Sequence, residues 1–111
     1  MHELAIMQSV VNVCEREAKS RGFRRVESIT LSVGAVSGIV PECLYDFFPT
    51  AAKGSVAEGA RLVTHTIPAS IDCPDCGYSG EISGTECPRC GGWGYKLRQG
   101  REFYIESLEV E

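Results

Sequence analysis

The sequence lacks the features that mark several common classes of function. Its 111 residues carry 11 lysines and arginines against 15 aspartates and glutamates, so it has no basic excess for holding nucleic-acid phosphates. It has only two histidines, and it contains no glycine-rich phosphate loop, no G-x-S-x-G motif and no H-E-x-x-H motif. Because these catalytic signatures are missing, we expect a protein that is not an enzyme.

Segments for secretion or membrane insertion are missing as well. The start, Met1-His2-Glu3, has no basic n-region, and the longest uncharged stretch, from Ser28 to Pro41, is too short to span a bilayer. We therefore expect a cytoplasmic protein without a membrane partner. In that reducing compartment clustered cysteines are more often metal ligands than disulfides, so the six cysteines of the chain become its main signal.

Apolar residues that recur at every third or fourth position predict two helices. The first begins at Leu4 and ends near Gly22, with basic residues in its last turn. The second begins at Pro41, and Pro49 is expected to kink it or end it early.

Alternating apolar residues predict three strands, over 26–33, 60–67 and 101–110. The first two strands flank the second helix, and this order suggests a parallel crossover connection. We therefore predict an α+β fold with a small mixed three-stranded sheet and two helices, into which a cysteine module is inserted.

The cysteine module consists of two copies of one motif, Cys73-Pro-Asp-Cys76-Gly77 and Cys87-Pro-Arg-Cys90-Gly91. Each CxxC turn brings two thiolates within reach of one ion, and the following glycine permits a left-handed backbone. Four thiolates in tetrahedral geometry suit zinc, with iron as the chemical alternative, and they leave no open position for a substrate. We predict a structural zinc ribbon rather than a free dithiol or a redox pair.

This interpretation divides the chain into two units. Residues 73–92 form the zinc-ribbon module, and residues 1–72 together with 93–111 form an α+β core. Cys14 and Cys43 lie outside the ribbon and have no CxxC partner, so we interpret both as buried small hydrophobic residues.

Zinc ribbons often contact nucleic acid, so a zinc-ribbon nucleic-acid-binding module is the alternative function. Four basic residues lie close in sequence to Trp93 and Tyr95, which would suit stacking on bases and contacts with phosphates. The segment 73–111 nevertheless contains seven acidic residues against these four basic ones. Trp93 is more simply explained by packing of the ribbon against the sheet, and we expect no nucleic-acid partner.

The N-terminus offers a second set of metal ligands. The α-amine of Met1, the backbone nitrogen of His2 and one imidazole nitrogen of His2 can hold one ion in fused chelate rings. Ni(II) and Cu(II) commonly favour the square-planar nitrogen field that this set provides. The backbone nitrogen or the carboxylate of Glu3 could supply the fourth ligand. Taken alone, a histidine at position two is unremarkable and carries little weight.

The order of motifs along the whole chain resembles the hydrogenase nickel-incorporation family (HypA/HybF). The M-H-E start at a helix, combined with the paired CxxCG motifs, is the specific part of this likeness. Pro49 and Trp93-Gly94 depart from the family pattern, and neither departure affects a ligand. The further matching residues are Val33-Gly34, Pro41-Glu42, Leu44, Phe48, Gly54-Ser55, Glu58 to Leu62, Gly100, Glu102, Ile105 and Ser107 to Glu111.

This resemblance implies a nickel metallochaperone with a structural zinc site. It implies nickel ligation by His2 first and Glu3 second, beside the Met1 amine, and zinc ligation by the four ribbon cysteines. Such proteins deliver Ni(II) to the large subunit of nickel-iron hydrogenase together with a nickel-binding GTPase, and some also serve urease. The implied cofactors are structural Zn²⁺ and transient Ni²⁺ cargo, and the implied partners are that GTPase and the hydrogenase large subunit.

Overall fold

The computed structural model describes residues 2–111, which form two helices and two three-stranded sheets. The elements are α1 (Glu3–Arg21), β1 (Val26–Gly34), α2 (Pro41–Ala52), β2 (Arg61–Ile67), β3 (Ser70–Asp72), β4 (Ser79–Glu81), β5 (Lys96–Gln99) and β6 (Phe103–Val110). The first sheet has the strand order β2-β1-β6 and the second the order β4-β3-β5. The predicted α+β class and mixed three-stranded sheet are therefore confirmed, whereas the second sheet is a finding of the structure.

The central strand of the first sheet is β1, which pairs in parallel with β2 and antiparallel with β6. Parallel neighbours need a long crossover connection, and α2 supplies it, so the predicted parallel crossover is confirmed. Ile29, Leu31 and Val33 alternate along β1 and are buried in one apolar cluster with residues of both helices. The alternation that predicted the strand is thus the face that forms the core.

Helix α1 follows its apolar pattern closely. Met7, Val11 and Cys14 are buried on one face of the helix, in agreement with the apolar residues predicted at every third or fourth position. The helix ends at Gly22, which has φ of 78° and donates its N–H to the carbonyl oxygen of Ala18 at 2.8 Å. Neither helix among residues 2–111 combines the length and the hydropathy that crossing a membrane requires.

Helix α2 corrects one prediction. It begins at Pro41 as expected, but it continues through Pro49 to Ala52, so the prediction that Pro49 ends it early is wrong. A proline inside a helix removes the hydrogen bond of its own N–H, and its ring crowds the carbonyl of the residue four positions earlier. Phe48 and Ala52 flank this position and are both buried, so packing against the core compensates for the lost bond. Cys43, in the first turn of α2, is half-buried, whereas Cys14 is fully buried as predicted.

The second sheet carries the cysteine motifs. In it, β3 pairs antiparallel with both β4 and β5. Ile71 of β3 is fully buried and packs with Cys73 and Cys87, while Tyr95 and Leu97 cover the same small core. The sequence analysis missed these strands because each has only three or four residues, too few for a recognisable alternation.

The two sheets meet at the C-terminal end of β1, beside the residues that directly precede β6. Gly34 donates its N–H to the carbonyl oxygen of Glu102 at 2.7 Å, and Val36 donates to that of Gly100 at 2.8 Å. A Cβ atom on Gly34 would overlap the carbonyl of Gly100. Gly100 itself has φ of 127°, which favours glycine. Two glycines thus allow the backbones on either side of the junction to touch.

The side chain of Glu102 closes this junction. One of its carboxylate oxygens accepts the N–H of Gly100 at 2.7 Å. Hydrogen bonds from the backbone of Glu102, Gly100 and Arg101 hold the pKa of the carboxyl below its ordinary value. The ionised form of Glu102 therefore stabilises the turn between β5 and β6.

We expect Gly34→Ala to destabilise the chain by about 1–3 kcal/mol, because the added methyl group has to displace backbone atoms of Gly100. Gly84→Ala is the matched control, since a Cβ there meets no atom within 4 Å and we expect a change within about 0.5 kcal/mol. Urea unfolding followed by circular dichroism measures both variants. Equal stabilities for the two would contradict the close approach of the strands.

Because the folded-state pKa of Glu102 is lowered, its contribution to stability is fully present above about pH 4.5 and is lost as the pH falls through the folded value. We expect Glu102→Gln to lower the unfolding temperature at neutral pH and to flatten its decline below pH 4.5. The control is Glu109→Gln, at an exposed position of β6. If the wild type and Glu102→Gln have parallel pH profiles, the carboxylate does not hold the junction.

Candidate metal centre

The four cysteines of the two motifs converge on one point. The sulfur atoms of Cys73, Cys76, Cys87 and Cys90 all lie within 4.8 Å of one another. The Sγ atoms of Cys73 and Cys90 are 3.7 Å apart, and those of Cys76 and Cys87 are 3.6 Å apart. Four sulfurs bound to one tetrahedral zinc at about 2.3 Å would be separated by roughly 3.8 Å. The cluster therefore fits a zinc ion bound by four thiolates.

Each pair of cysteines is held by the same backbone turn. Gly77 donates its N–H to the carbonyl oxygen of Cys73, and Gly91 donates to that of Cys87, both at 2.8 Å. The two glycines have φ of 78° and 73°, which is the left-handed backbone expected from their place after each motif. The repeated sequence motif thus folds into two repeated knuckles that face each other.

The cluster is closed towards the ribbon core and open on one side. Cys73 and Cys87 are each 2% exposed and pack beside Ile71, whereas Cys76 is half-buried and Cys90 is exposed. Four protein ligands would complete the tetrahedral shell, so a metal held here has no free position for a substrate. This arrangement suits a structural role.

The thiols of the cluster influence one another's protonation. The backbone hydrogen bond of Tyr78 lowers the pKa of Cys76, but burial and the neighbouring thiols raise it to about 12. Burial raises the pKa of Cys87, whereas backbone hydrogen bonds from Cys90 and Arg89 and the adjacent thiols lower it to about 7. Adjacent thiolates repel, so full ionisation of the cluster requires a bound cation, and metal binding releases protons.

The predicted nickel ligands lie at the N-terminus of α1. His2 is exposed and extended, with φ of −92° and ψ of 93°, and its carbonyl oxygen accepts the N–H of Ile6 at 3.1 Å. Glu3 is the first residue of the helix and is half-buried. Met1, whose amine belongs to the predicted chelate, lies outside the described residues. His2 and Glu3 are therefore adjacent at an accessible helix end, and their ligand role stays a prediction.

His65, the other histidine of the chain, lies away from both predicted metal sites and is paired with an acidic residue. Nδ1 of His65 lies 3.0 Å from a carboxylate oxygen of Glu106 on the exposed face of the first sheet, which fits a satisfied strand histidine. Within residues 2–111, the four cysteines are the one group of three or more histidine, cysteine or acidic side chains close enough to share an ion.

One of the four basic residues considered for nucleic-acid binding is paired with an acidic residue. Arg98 pairs with Asp72 on the neighbouring strand, with 3.2 Å between the guanidinium nitrogen and the carboxylate oxygen. Trp93, predicted to pack the ribbon against the sheet, is instead 73% exposed, because Ile71 and the side chains of Tyr95 and Leu97 already fill the ribbon core. That prediction is wrong, and the exposed position of Trp93 is a feature that the sequence analysis missed.

We expect Cys73→Ser to abolish stoichiometric zinc binding, because it removes one thiolate and structural zinc stabilises the fold that contains it. The strands β3 to β5 lose order, while the first sheet and both helices remain. Cys43→Ser is the matched control, since Cys43 lies outside the cluster. Zinc analysis and amide chemical shifts measure the outcome, and full zinc content in Cys73→Ser would contradict the four-thiolate site.

Comparison with known proteins gives matches over the full length of the chain. The hydrogenase maturation factor HypA of Geobacter metallireducens is 41% identical over 113 residues, and the match covers all of both chains. The protein of the same name from Caldanaerobacter subterraneus subsp. tengcongensis is 40% identical over 114 residues, again with full coverage of both.

Solved structures share the fold. The solution structure of the Ni metallochaperone HypA from Helicobacter pylori superposes with a TM-score of 0.70 at 24% identity, covering 99% of this chain and 97% of that one. A family model described as hydrogenase/urease nickel incorporation, metallochaperone, hypA matches residues 1–110. The chain therefore belongs to the HypA family of hydrogenase/urease nickel-incorporation metallochaperones.

Proposed function

We propose that this chain is a nickel metallochaperone that delivers Ni(II) during maturation of nickel-iron hydrogenase, with urease as a possible second client, and that a zinc ribbon stabilises its fold. The observation that carries this proposal is the family match over residues 1–110, which includes the M-H-E start and both cysteine knuckles. The chain acts by binding and release of the metal rather than by catalysis.

Zinc is proposed for the four-cysteine cluster because the cluster has the chemistry of a permanent site. Its sulfur separations fit tetrahedral zinc, and two of its cysteines are buried in the ribbon core. Soft thiolates that fill the coordination shell exchange their ion slowly, which suits a structural metal and not a cargo.

Nickel is proposed for the N-terminus, with His2, Glu3 and the Met1 amine as ligands. The first N–H groups of a helix have no acceptor within the helix, and here the ladder starts with the N–H of Ile6. A metal can therefore displace the amide proton of His2 without breaking a helical hydrogen bond. The exposure of His2 also leaves the bound ion accessible to a receiving protein.

The remaining parts of the proposal follow from family membership. We infer that the nickel-binding GTPase of the pathway and the hydrogenase large subunit are the partners, and that the protein works in the cytoplasm. We also keep the division into a core, 1–72 and 93–111, and a ribbon, 73–92, as a proposal. The antiparallel pairing of Ser70 with Gln99 supports drawing the ribbon boundary a few residues further out on both sides.

We expect His2→Ala to abolish specific nickel binding and to leave zinc content and stability unchanged, because position two is exposed and shares no ligand with the cysteine cluster. His65→Ala is the matched control, since it removes the other histidine of the chain. Calorimetric titration of untagged protein with Ni(II) measures both. Tight nickel binding by His2→Ala, or its loss in His65→Ala, would move the site away from the N-terminus.

A variant with an N-terminal extension, titrated with Ni(II) in the same way, tests whether the Met1 amine is a ligand. A tag before Met1 converts the amine into an amide, so the tagged protein is expected to bind nickel weakly and to lose the absorption of a square-planar nitrogen complex. Because ligands must lose their protons to bind a metal, we expect the nickel affinity of the untagged protein to rise with pH. Identical spectra for tagged and untagged protein would show that the Met1 amine does not bind nickel, so that His2 would contribute one atom, its imidazole nitrogen.

A further inference from the structure

The first sheet has two outer strands, β2 and β6, and their outer edges differ. On β2, the N–H of Thr64 donates to the hydroxyl of Tyr45 in α2 at 3.1 Å, so α2 covers part of that edge. Within residues 2–111, the backbone hydrogen bonds of β6 all go to one side, towards β1. The outer edge of β6 therefore presents N–H and C=O groups with which a further strand can pair.

The backbone groups of β6 that point outwards follow from those that point towards β1. The carbonyl oxygen of Glu102, just before the strand, and both backbone groups of Glu111, just after it, are bonded on the β1 side. Within β6 the register shifts once, where Glu106 forms a bulge. Alternation on either side of this bulge turns the N–H and C=O groups of four residues to the outer edge: Phe103, Ile105, Leu108 and Val110.

The bulge restricts which strand can pair with this edge. In a regular strand the groups on one edge recur at every second residue, whereas in β6 Ile105 and Leu108 are three residues apart. A regular strand therefore loses its register on one side of the bulge. A second copy of the chain, related by a twofold axis, keeps the register on both sides. Ile105 of each copy then faces Leu108 of the other, and the two bulges lie side by side.

A groove between α1 and β6 offers apolar surface to that second copy. Ile6 and Val13 line it on the helix side, and Phe103, Ile105 and Leu108 line it on the strand side. All five residues are only half-buried in the single chain. A second copy would cover them with its own equivalents, and this burial adds the apolar contact that two paired strands alone lack.

The charged side chains of β6 do not face one another in this register. Glu106 faces Ser107 of the second copy, and Glu109 faces Tyr104, so no acidic residue lies directly opposite another. The carboxylate of Glu106 is also paired with Nδ1 of His65 at 3.0 Å.

The surroundings of the groove are close to neutral. Helix α1, residues 22–25 and residues 103–111 together carry six acidic and five basic side chains. Three of the basic side chains are arginines beside β6 or its end, and two of these are paired within the chain, Arg21 with Glu17 at 3.0 Å and Arg25 with Glu111 at 3.5 Å. Two such edges approach without the repulsion that an excess of one charge would cause.

We propose that two copies of the chain pair through β6 around a twofold axis, so that their two three-stranded sheets form one six-stranded sheet. Both α1 helices then lie on the same face of that sheet and run in opposite directions. The proposed nickel ligands at the start of α1 therefore lie at opposite ends of the dimer and stay exposed. The inference does not depend on the proposed function, because no metal ligand takes part in the contact.

The first test measures the oligomeric state and the backbone groups of β6 together. Untagged, zinc-loaded protein in reducing buffer is examined by sedimentation velocity and by amide hydrogen exchange over a series of concentrations. We expect a dimer to form as the concentration rises. We expect the four outward amides to become protected with it, whereas the amide of Tyr104, which points towards β1, is protected throughout. A chain that stays monomeric at every concentration contradicts the proposal, as does a dimer whose four outward amides exchange as they do in the monomer.

The second test changes the charge at the axis. Ser107 is exposed, so its substitution leaves the monomer fold intact, and it faces Glu106 of the second copy twice in each dimer. We expect Ser107→Lys to tighten dimerisation about fivefold and Ser107→Glu to weaken it about fivefold. Thr66→Lys and Thr66→Glu are the matched controls, at an exposed position of the other outer strand, and we expect both to stay within about twofold of the wild type.

The opposite signs of the two Ser107 substitutions identify the edge that is used. If both substitutions shift the dimerisation constant in the same direction, or if neither shifts it, Ser107 does not face a carboxylate and the proposed register is wrong. If the Thr66 variants shift it instead, the copies pair through β2.

Discussion

The contact between the backbones at Gly34 and Gly100 determines how the two halves of the structure are joined. The chain passes this point once on its way from β2 into the second sheet and once on its way back into β6. Across it, the N–H groups of Gly34 and Val36 donate to the carbonyl oxygens of Glu102 and Gly100. The carboxylate of Glu102 then holds the turn that follows. A side chain at either glycine would separate the sheets, so the position of the ribbon relative to the core depends on two missing Cβ atoms.

This junction lies at the same end of the core as the start of α1. Ile6 and Val10 of α1 line one shallow groove together with Phe103 and Tyr104, which are the first residues of β6. Since β6 begins directly after Glu102, the first turns of α1 run beside the junction. The proposed nickel ligands at His2 and Glu3 therefore lie at the end of the core that is joined to the ribbon.

The sequence was sufficient for the parts of the structure that repeat a pattern. The spacing of apolar residues in α1, the alternation in β1 and the paired CxxCG motifs each predicted what the structure contains, because each pattern extends over enough residues to be distinctive. The strands of the second sheet could not be predicted in this way. Their three or four residues carry too few apolar side chains, and their pairing is determined by the knuckles between them.

The early end of α2 at Pro49 and the packing of Trp93 against the sheet were wrong predictions for one shared reason: packing, and not local preference, controls both positions. Pro49 lies between Phe48 and the last turn of α2, where burial of the helix face outweighs one lost hydrogen bond. At Trp93 packing has the opposite effect and leaves an apolar side chain exposed. A large apolar side chain is expected to be buried, but the ribbon encloses only a small core, and Ile71, Tyr95 and Leu97 already occupy it. In a module of this size, space in the core is limiting, so an additional aromatic residue lies at the surface.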